Sequence, residues 1–348
     1  DWFVNEEKLK GGLNSLATDI NKMGMQFGLW FEPEMISPKS KLYEEHPDWC
    51  IHIDGRIRSE ARKQLILDLS RDEVCEAVIK MITDVLKSAP ISYVKWDMNR
   101  NMTEIGSTAW PAKKQKEIAH RYMLGLYKIL ENITSNFPNI LFESCSGGGG
   151  RFDGGMLYYM PQTWTSDDTD AIERLMIQEG TSLVYPTSSM GSHVSAVPNH
   201  QVHRITPLNT RGVVAMAGSF GYELDVTKMN EEEKEEVKKQ VEFYKNIRST
   251  VQFGDLYRLK SSFDSNEAAW MNLSKDGKEV VVSYVKKYAE ANVIPRRLKV
   301  KALDENSLYE VIETGEVFGG DELMYIGLEI GELMGDYQAK NWTLRKVD

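Results

Sequence analysis

The chain has 348 residues, of which 41% are hydrophobic and 27% are charged, an ordinary globular composition that excludes a disordered chain. The formal net charge of -10 argues against a nucleic-acid surface, because phosphate backbones are bound by clustered lysine and arginine and no such cluster is present. The three cysteines are widely spaced, which excludes a disulfide framework, and no apolar run is long enough to span a bilayer, so we expect no membrane partner.

Short apolar runs alternate with longer amphipathic stretches from residue 5 to about 222. Stretches such as DEVCEAVIKMITDVLKS have apolar residues at three-and-four spacing, which is typical of helices packed on one face. Strand and helix repeated in this way predict a parallel sheet. The runs predicted as strands are QFGLWFE (26–32), LILDL (65–69), ISYVKWD (91–97), NILFES (139–144), QTWTSDD (162–168), SLVYPTS (182–188) and VVAMAGSFGY (213–222).

Several of these runs end in a polar cluster, as in FEPE, KWDMNR, ESCSGGGG, TSDDTD and PTSSMGSH. In a (β/α)8 barrel the loops that follow the strands build one face, and that face carries the active site. The runs are too few to close such a barrel. We therefore predict an α/β fold, a TIM barrel over residues 1–248 that contains strands about 3 to 8 and lacks one or two strands before Asp1.

The composition changes after residue 223. The segment NEEEKEEVKKQVEFYKNI predicts one charged helix with a solvated face. Short alternating strands follow, and no long helix is predicted among them. Residues 249–348 are therefore predicted to form a small antiparallel β-sandwich from DLYRLKSS, EAAWMNLS, KEVVVSYVKKY, RRLKVKAL, SLYEVIE, ELMYIGLEI and WTLRKV.

Lys95 and Asp97 end the run ISYVKWD. Side chains two positions apart on a strand share a face, so the ammonium and the carboxylate are expected to point the same way. A neighbouring ammonium keeps an acid ionised, which suits a nucleophile, and the alternative is a structural ion pair at a strand end. Trp30 precedes Glu32 in the same pattern, where an aromatic wall can pack on the apolar face of a sugar.

Asp167, Asp168 and Asp170 crowd one segment between a predicted strand and a predicted helix. One of them is expected to cap the helix, because an aspartate before AIERL accepts helix N–H bonds. Like charges this close favour one carboxyl that keeps its proton near neutrality. One ionised acid and one protonated acid on different strand ends of a barrel form the pair that glycoside cleavage uses.

Two other functional interpretations of the sequence are weaker. ESCSGGGG resembles a phosphate loop only superficially, because RFD follows the glycines where Gly-Lys-Ser/Thr is needed. The glycines instead suit either the close approach of backbone amides to sugar hydroxyls or a tight turn. His193, His200 and His203 lie close together without the spacing of a metal-binding motif, so we predict no metal site.

Six segments together closely resemble the bacterial α-galactosidases of glycoside hydrolase family 36: GLWFEPEMISP, YVKWDMNRN, LFESCSGGGGRFDGGML, WTSDDTDAIERL, YPTSSMGSHVSAVPNHQ and MAGSFGYELD. The resemblance extends to GDYQAKNWTL near the C-terminus. It implies a retaining enzyme that hydrolyses terminal α-galactosyl residues of oligosaccharides such as melibiose and raffinose and needs no cofactor. It also implies a cytoplasmic bacterial protein that forms a homo-oligomer, a tetramer in the full-length protein.

The resemblance assigns roles to individual residues. The aspartate of KWD, Asp97, corresponds to the nucleophile, and the first aspartate of SDD, Asp167, corresponds to the acid/base, with Asp168 as the neighbour to test. Retention implies two carboxyl groups about 5 to 5.5 Å apart. The sugar-binding residues implied are Trp30, Arg62, Lys95, Asn99, Cys145, Gly147 and Gly148.

Members of the family have a longer architecture, with an N-terminal β-sandwich and a first barrel segment whose acidic pair binds the sugar. Neither is in this chain, so we expect the 348 residues alone to have weak or no activity. The alternatives are a raffinose-type α-galactosyl transferase or an α-N-acetylgalactosaminidase on the same scaffold, and a non-catalytic sugar-binding module. The segment from Cys145 to Gly147 fits an α-galactosidase better, and two retained acids speak against a pure binding module.

Overall fold

The structure, a computed structural model, describes residues 1–347, which divide into two compact units, Asp1–Thr163 and the residues from Trp164 onward. The helices are α1 (Gly12–Lys22), α2 (Lys41–Glu45), α3 (Asp72–Lys87), α4 (Ile118–Asn136), α5 (Gly154–Tyr159), α6 (Ala171–Ser182), α7 (Leu208–Ala215), α8 (Glu231–Phe253) and α9 (Gly320–Tyr325). The strands are β1 (Phe27–Phe31), β2 (Met35–Ile36), β3 (Leu65–Ile66), β4 (Ile91–Trp96), β5 (Leu141–Ser144), β6 (Gln162–Trp164), β7 (Met190–Ser195), β8 (Ser219–Glu223), β9 (Asp255–Lys260), β10 (Glu267–Leu273), β11 (Glu279–Lys286), β12 (Arg297–Leu298), β13 (Leu308–Val311), β14 (Glu316–Gly319), β15 (Leu328–Glu329) and β16 (Gln338–Val347).

The first unit is built on a parallel sheet. Strand β4 lies between β1 and β5, and the first two residues of β6 pair with β5. Trp30 is in register with Lys95, and Lys95 is in register with Glu143. Because residues in register on neighbouring strands point to the same face, these three side chains form one row across the sheet.

The amphipathic helices predicted for the first unit are present and bury their apolar faces. Helix α3 buries Val74, Val78 and Ile82, and α4 buries Leu126 and Ile129, at the predicted three-and-four spacing. These side chains belong to one hydrophobic core together with the buried residues of the parallel strands. This packing fixes the strand ends from which the polar loops emerge.

The second unit combines the end of the strand–helix pattern with an antiparallel domain. Strands β7 and β8 are parallel, and a six-stranded antiparallel sheet has the order β14-β13-β16-β11-β10-β9. Side chains alternate along β11: Val281 and Val285 pack against helices α8 and α7, whereas Val280 and Val282 face the core shared with the β12–β15 pair. Parallel strands that end in polar loops are followed by an antiparallel domain. The predicted fold, an incomplete (β/α) barrel followed by a β-sandwich, is confirmed.

Two predicted strands of the second unit are wrong, the first wholly and the second in part. Residues 182–188 were expected to form a strand, but α6 ends at Ser182 and β7 begins only at Met190, after a 3-10 turn that follows Pro186. The first part of 213–222 belongs to α7. Proline interrupts strand pairing because it lacks an N–H donor, and short apolar runs do not distinguish a buried helix from a strand.

Two other segments also differ from the prediction. In LILDL only Leu65–Ile66 is a strand, and it pairs antiparallel with β2 outside the parallel sheet. In ELMYIGLEI the first residues form α9, which buries Leu323, and only Leu328–Glu329 is a strand. The boundary at 248/249 stays a prediction.

Candidate active site

Asp97 lies immediately after β4 and is held in a fixed orientation. Its backbone N–H donates to the carbonyl of Phe31 at 2.8 Å, which extends the parallel pairing by one residue. Only 5% of the residue is exposed. Its Oδ2 accepts a hydrogen bond from Trp30 Nε1 at 3.1 Å, and its Oδ1 accepts one from the backbone N–H of Met98 at 2.8 Å. Two fixed donors, one on each oxygen, hold the carboxylate in one direction.

Trp30 combines a polar contact with an open aromatic surface. Its indole N–H is bonded to Asp97, yet 44% of the residue is exposed. Trp2 packs edge-on against Trp30 and Phe31, at centroid distances of 6.3 and 5.3 Å. An indole fixed at one end and open on a face offers an apolar platform beside the carboxylate.

Lys95 forms an ion pair with Glu143 across the sheet, at 3.1 Å between Nζ and Oε1. Sequence spacing placed Lys95 on the same face as Asp97, but the sequence analysis did not identify Glu143 as the partner of Lys95. Glu143 is buried and also accepts hydrogen bonds from Tyr93 and from Gln162 Nε2, the latter at 2.7 Å. Burial, followed by the charge of Glu143, raises the pKa of Tyr93 far above its usual range, so the phenol stays a donor.

Arg62 and Asn99 meet at a residue that sequence analysis did not assign, Glu32. Arg62 Nη1 lies 2.9 Å and Asn99 Nδ2 lies 2.6 Å from the same oxygen, Glu32 Oε1. Asn99 Oδ1 in turn accepts the backbone N–H of Gly147 at 3.2 Å. Three of the predicted sugar-binding residues are therefore linked into one hydrogen-bonded group.

The glycine-rich segment forms a tight turn after β5. Gly147 and Gly148 have φ angles of 54° and 84°, in the left-handed region that favours glycine, and a Cβ added at Gly147 would meet no atom within 4 Å. The next helix, α5, is short, and the side chain of Asp153 caps it by accepting the N–H of Met156 at 2.9 Å. A carboxylate on that helix end disfavours an anion there, which argues against the phosphate-loop interpretation.

Cys145 is buried at the start of this segment. Its backbone N–H donates to the carbonyl of Trp96 at 2.8 Å and its carbonyl accepts the N–H of Met98 at 3.1 Å, so it lies beside Asp97. Burial, followed by the charge of Asp97, raises the pKa of the Cys145 thiol to about 12. The group is therefore a thiol near neutral pH and is not equipped to act as a nucleophile.

The sequence analysis missed a buried ion pair, which is formed by Glu34 and Arg151. Glu34 is fully buried and accepts a bidentate contact from Arg151, with both nitrogens at 2.8 Å. Trp96 Nε1 and the hydroxyl of Tyr122 also donate to it, at 2.9 and 2.6 Å. Burial alone would raise the pKa of Glu34, but Arg151 and the other donors outweigh it and hold the pKa below its usual range. The pair joins the loop after β1 to the glycine-rich segment.

The second unit contains the aspartate cluster. Asp170 is the predicted cap of α6: its Oδ1 accepts the N–H groups of Ile172 and Glu173 at 3.0 and 3.1 Å and also contacts Arg204. Asp168 accepts the N–H of Asp170 at 3.1 Å. Asp167 is exposed, and within residues 1–347 the structure records no hydrogen bond or ion pair for its carboxylate. The cluster thus separates into one capping acid, one turn acid and one unengaged acid.

Arg174 supports the segment that carries Asp167. It is buried, donates to the carbonyl of Gly191 at 2.8 Å and of Ser166 at 3.2 Å, and lies 4.8 Å from the ring centroid of Trp164. Burial lowers the pKa of Arg174 to about 10, which leaves it charged at neutral pH. His193 stacks on the same Trp164 at 4.6 Å. Within the part of the chain described, no three histidine, cysteine or acidic side chains form a group that could hold a metal ion.

Known protein families account for most of the chain. A family model described as melibiase matches residues 1–254, and one described as the glycosyl hydrolase family 36 C-terminal domain matches residues 267–344. The chain belongs to glycoside hydrolase family 36. Among its family 36 relatives, α-galactosidase AgaA of Geobacillus stearothermophilus is 61% identical over 347 residues, and α-galactosidase Mel36A of Lactobacillus acidophilus is 50% identical over 348 residues.

Solved family 36 structures match the chain over its full length. The crystal structure of an AgaA variant with raffinose has a TM-score of 0.97 at 60% identity and covers 100% of this chain. A second AgaA variant, solved with stachyose, has a TM-score of 0.98. The chain spans about half the length of the relatives it matches, 48% of AgaA and 47% of Mel36A. None of the described helices is both long enough and apolar enough to cross a membrane.

Proposed function

We propose that the protein carrying this chain is a retaining α-galactosidase that removes terminal α-galactosyl residues from oligosaccharides such as melibiose and raffinose. The observation that carries the proposal is the geometry of Asp97, a buried carboxylate at a strand end that is oriented by Trp30 and flanked by Lys95, Asn99 and Cys145. Membership of family 36 adds the chemistry, since relatives 61% and 50% identical are α-galactosidases.

The proposed reaction has two displacement steps. The Asp97 carboxylate attacks the anomeric carbon, and Asp167 gives its proton to the departing glycosidic oxygen, so that a galactosyl ester forms as the leaving sugar departs. Asp167 then takes a proton from water, and the water oxygen attacks the same carbon and frees galactose from Asp97. Two inversions give net retention, and the two carboxyl groups are expected to be about 5 to 5.5 Å apart in the complete site.

The assignment of Asp167 rather than Asp168 has independent support. The AgaA variant solved with raffinose carries an aspartate-to-asparagine substitution, and the variant solved with stachyose carries an aspartate-to-alanine substitution. In that relative the two substituted aspartates are separated by the same number of positions as Asp97 and Asp167. Asp168 is engaged in the turn before α6, whereas Asp167 is exposed.

The residues around Asp97 are proposed to bind the sugar. Trp30 supplies an apolar face, and Lys95 and Arg62 supply charged donors for hydroxyl groups. Gly147 and Gly148 allow the backbone to come close to the ligand, and the thiol of Cys145 lines the pocket as a neutral group. Asn99 completes the set, with one amide N–H not committed to Glu32.

We also propose a cytoplasmic bacterial enzyme that works as a homo-oligomer, a tetramer. Both statements rest on the resemblance to family 36 and, for the location, on three buried free thiols, which suit a reducing compartment. Sedimentation velocity of the protein that carries this chain tests the tetramer.

The roles of the two acids are tested by substitution in the protein that carries this chain. Asp97→Ala should abolish turnover of p-nitrophenyl α-galactoside, and azide should restore it with β-galactosyl azide as the product, since azide attacks opposite the leaving group. Asp167→Asn should cost far more activity on raffinose than on the aryl substrate, because p-nitrophenolate leaves without a proton. Asp168→Asn is the matched control and should resemble the wild type.

Particular outcomes would reject the proposal. An Asp97→Ala protein with intact turnover would leave a sugar-binding module as the better description. Transfer products that dominate over free galactose, with raffinose as both donor and acceptor, would favour the transferase. A preference for α-N-acetylgalactosaminides would reject galactose as the recognised sugar.

A further inference from the structure

Glu32 is a buried acid that contacts two of the proposed sugar-binding residues, Arg62 and Asn99. Only 3% of the residue is exposed, and its carboxylate accepts hydrogen bonds from three side chains. Arg62 Nη1 and Asn99 Nδ2 share Oε1, at 2.9 and 2.6 Å, and Gln64 Nε2 lies 3.1 Å from Oε2. A buried carboxylate needs such compensation, and the three donors supply it.

Arg62 reaches Glu32 from a strained turn. Arg62 and Lys63 have φ angles of 53° and 60°, and reciprocal backbone bonds between Ala61 and Gln64, at 3.2 and 2.9 Å, close a two-residue turn. Such turns normally use Asn-Gly, because side chains are disfavoured at positive φ. The residues on either side of Lys63, Arg62 and Gln64, both donate to Glu32, so the carboxylate holds the turn at two points.

Asn99 reaches Glu32 from the loop after β4. Its amide N–H faces the carboxylate, and its carbonyl oxygen accepts the N–H of Gly147 at 3.2 Å. A carboxylate accepts and does not donate, so it fixes which end of the amide faces it. The direction of the remaining Asn99 N–H is therefore determined by Glu32, and the position of the Gly147 amide is coupled to it.

We propose that Glu32 is the positioning residue that sets the affinity of the site for galactose, acting through Arg62 and Asn99 and not by touching the sugar. This inference rests on the proposed function. Glu32 is buried and its oxygens are already engaged, so its influence on a ligand passes through its donors. Asp97 is oriented by Trp30 and by its own loop, not by Glu32. Removing the charge should therefore weaken binding and leave the chemical step nearly intact.

The test is Glu32→Gln in the protein that carries this chain. KM for p-nitrophenyl α-galactoside and the inhibition constant of galactose should both rise by about 10- to 100-fold, because hydrogen bonds to a charged group are lost at two ligand-binding residues. The value of kcat should change by less than about threefold. Glu45→Gln removes one carboxylate from an exposed position of the same unit and should match the wild type.

Two further variants distinguish positioning from a general loss of structure. Glu32→Asp keeps the charge but shortens the side chain, and it should restore part of the galactose affinity. The effects of Glu32→Gln and Arg62→Met should not add when combined, because each breaks the same ion pair. Circular dichroism and the unfolding temperature of Glu32→Gln report whether the fold is retained, and Glu32→Asp serves as the kinetic test if it is not.

Three results would overturn this inference: unchanged KM and galactose inhibition in Glu32→Gln, a loss confined to kcat, or additive effects in the double variant. Wild-type protein without α-galactosidase activity, or an active Asp97→Ala variant, would instead overturn the proposed function. The two failures are thus separated by wild-type and Asp97→Ala measurements made in the same assay.

Discussion

The Arg151–Glu34 pair makes a sharp prediction about stability. Glu34 is fully buried with four donor contacts, two of them from Arg151 at 2.8 Å. In Arg151→Met the carboxylate keeps only the neutral donors of Trp96 and Tyr122. An uncompensated buried charge costs about 3–5 kcal/mol of unfolding free energy. This is a large part of the roughly 5–15 kcal/mol typical of a folded domain. It corresponds to a change of roughly a hundredfold or more in the unfolding equilibrium constant.

The pH dependence of the unfolding free energy of Arg151→Met shows whether Glu34 causes the loss of stability. In the wild type the pKa of Glu34 is lowered on folding, so its stabilisation is complete above the unfolded pKa and is lost as pH falls through the folded pKa. In Arg151→Met burial is opposed only by the neutral donors of Trp96 and Tyr122, so we expect the pKa of Glu34 to rise above its usual range. The folded protein then binds more protons than the unfolded one, and the free energy of unfolding should fall as pH rises above about 4.3, by at most about 1.36 kcal/mol per pH unit.

The assay is urea unfolding followed by circular dichroism at pH 7.5 and pH 5.5. Arg56→Met removes an exposed arginine from the same unit and is the matched control. Arg151→Met should lose about 3–5 kcal/mol at pH 7.5 and recover part of the loss at pH 5.5. A variant as stable as Arg56→Met, or one equally destabilised at both pH values, would show that Glu34 does not depend on Arg151 for its charge.

Four smaller predictions follow. Lys63→Gly should stabilise the fold by about 0.5–1 kcal/mol, since φ is 60° at that position, and a lower melting temperature would contradict the strain argument. Asp170→Ala should cost about 1–3 kcal/mol because α6 loses its cap and Arg204 loses a partner; thermal unfolding beside an Asp264→Ala surface control measures it. The Cys145 thiol, with a pKa of about 12, should resist iodoacetamide at pH 8 until the protein unfolds, and rapid labelling seen by mass spectrometry would refute this. The isolated 348-residue chain should show weak or no turnover of p-nitrophenyl α-galactoside, because it spans about half the length of its relatives, and ordinary turnover would contradict this expectation.

The strands that carry the site were predictable because their local signals agree. The run at 91–97 is apolar, contains β-branched and aromatic residues and ends at a charged residue, and the structure has β4 at Ile91–Trp96. The cap of α6 was equally predictable, since an aspartate before an amphipathic segment satisfies free N–H groups locally, as Asp170 does. These features depend on neighbours within a few positions along the chain.

Other elements depended on packing that local sequence does not encode. The segment ELMYIGLEI alternates like a strand, yet α9 forms there because Leu323 reaches the core of the antiparallel domain from a helix. The same ambiguity placed a strand at 182–188, one turn before β7. Leu323 is buried from a helix, whereas Leu183 and Val184 of the run at 182–188 are exposed, so that run does not mark a buried element at all.

The partners of the acids were hidden by sequence distance. Arg151 lies 117 positions from Glu34, and Gln162 lies 19 positions from Glu143. One signal was present for Glu143, because neighbouring parallel strands bring equivalent positions into register, and ISYVKWD and NILFES both place a charged residue near the strand end. No pattern in a single sequence pairs the loop after β1 with an arginine beyond β5.

The two glutamates of FEPE show what the fold adds to a motif. Glu32 and Glu34 flank one proline just after β1, and both are buried acids in need of donors. Glu32 obtains them from the turn at residues 61–64 and the loop after β4, whereas Glu34 obtains them from β4, α4 and the glycine-rich segment. One short loop thus anchors every neighbouring loop of the first unit that contributes a proposed sugar-binding residue. Substitutions at Glu32 should therefore change the affinity for galactose, whereas breaking the Glu34–Arg151 pair should mainly change the stability.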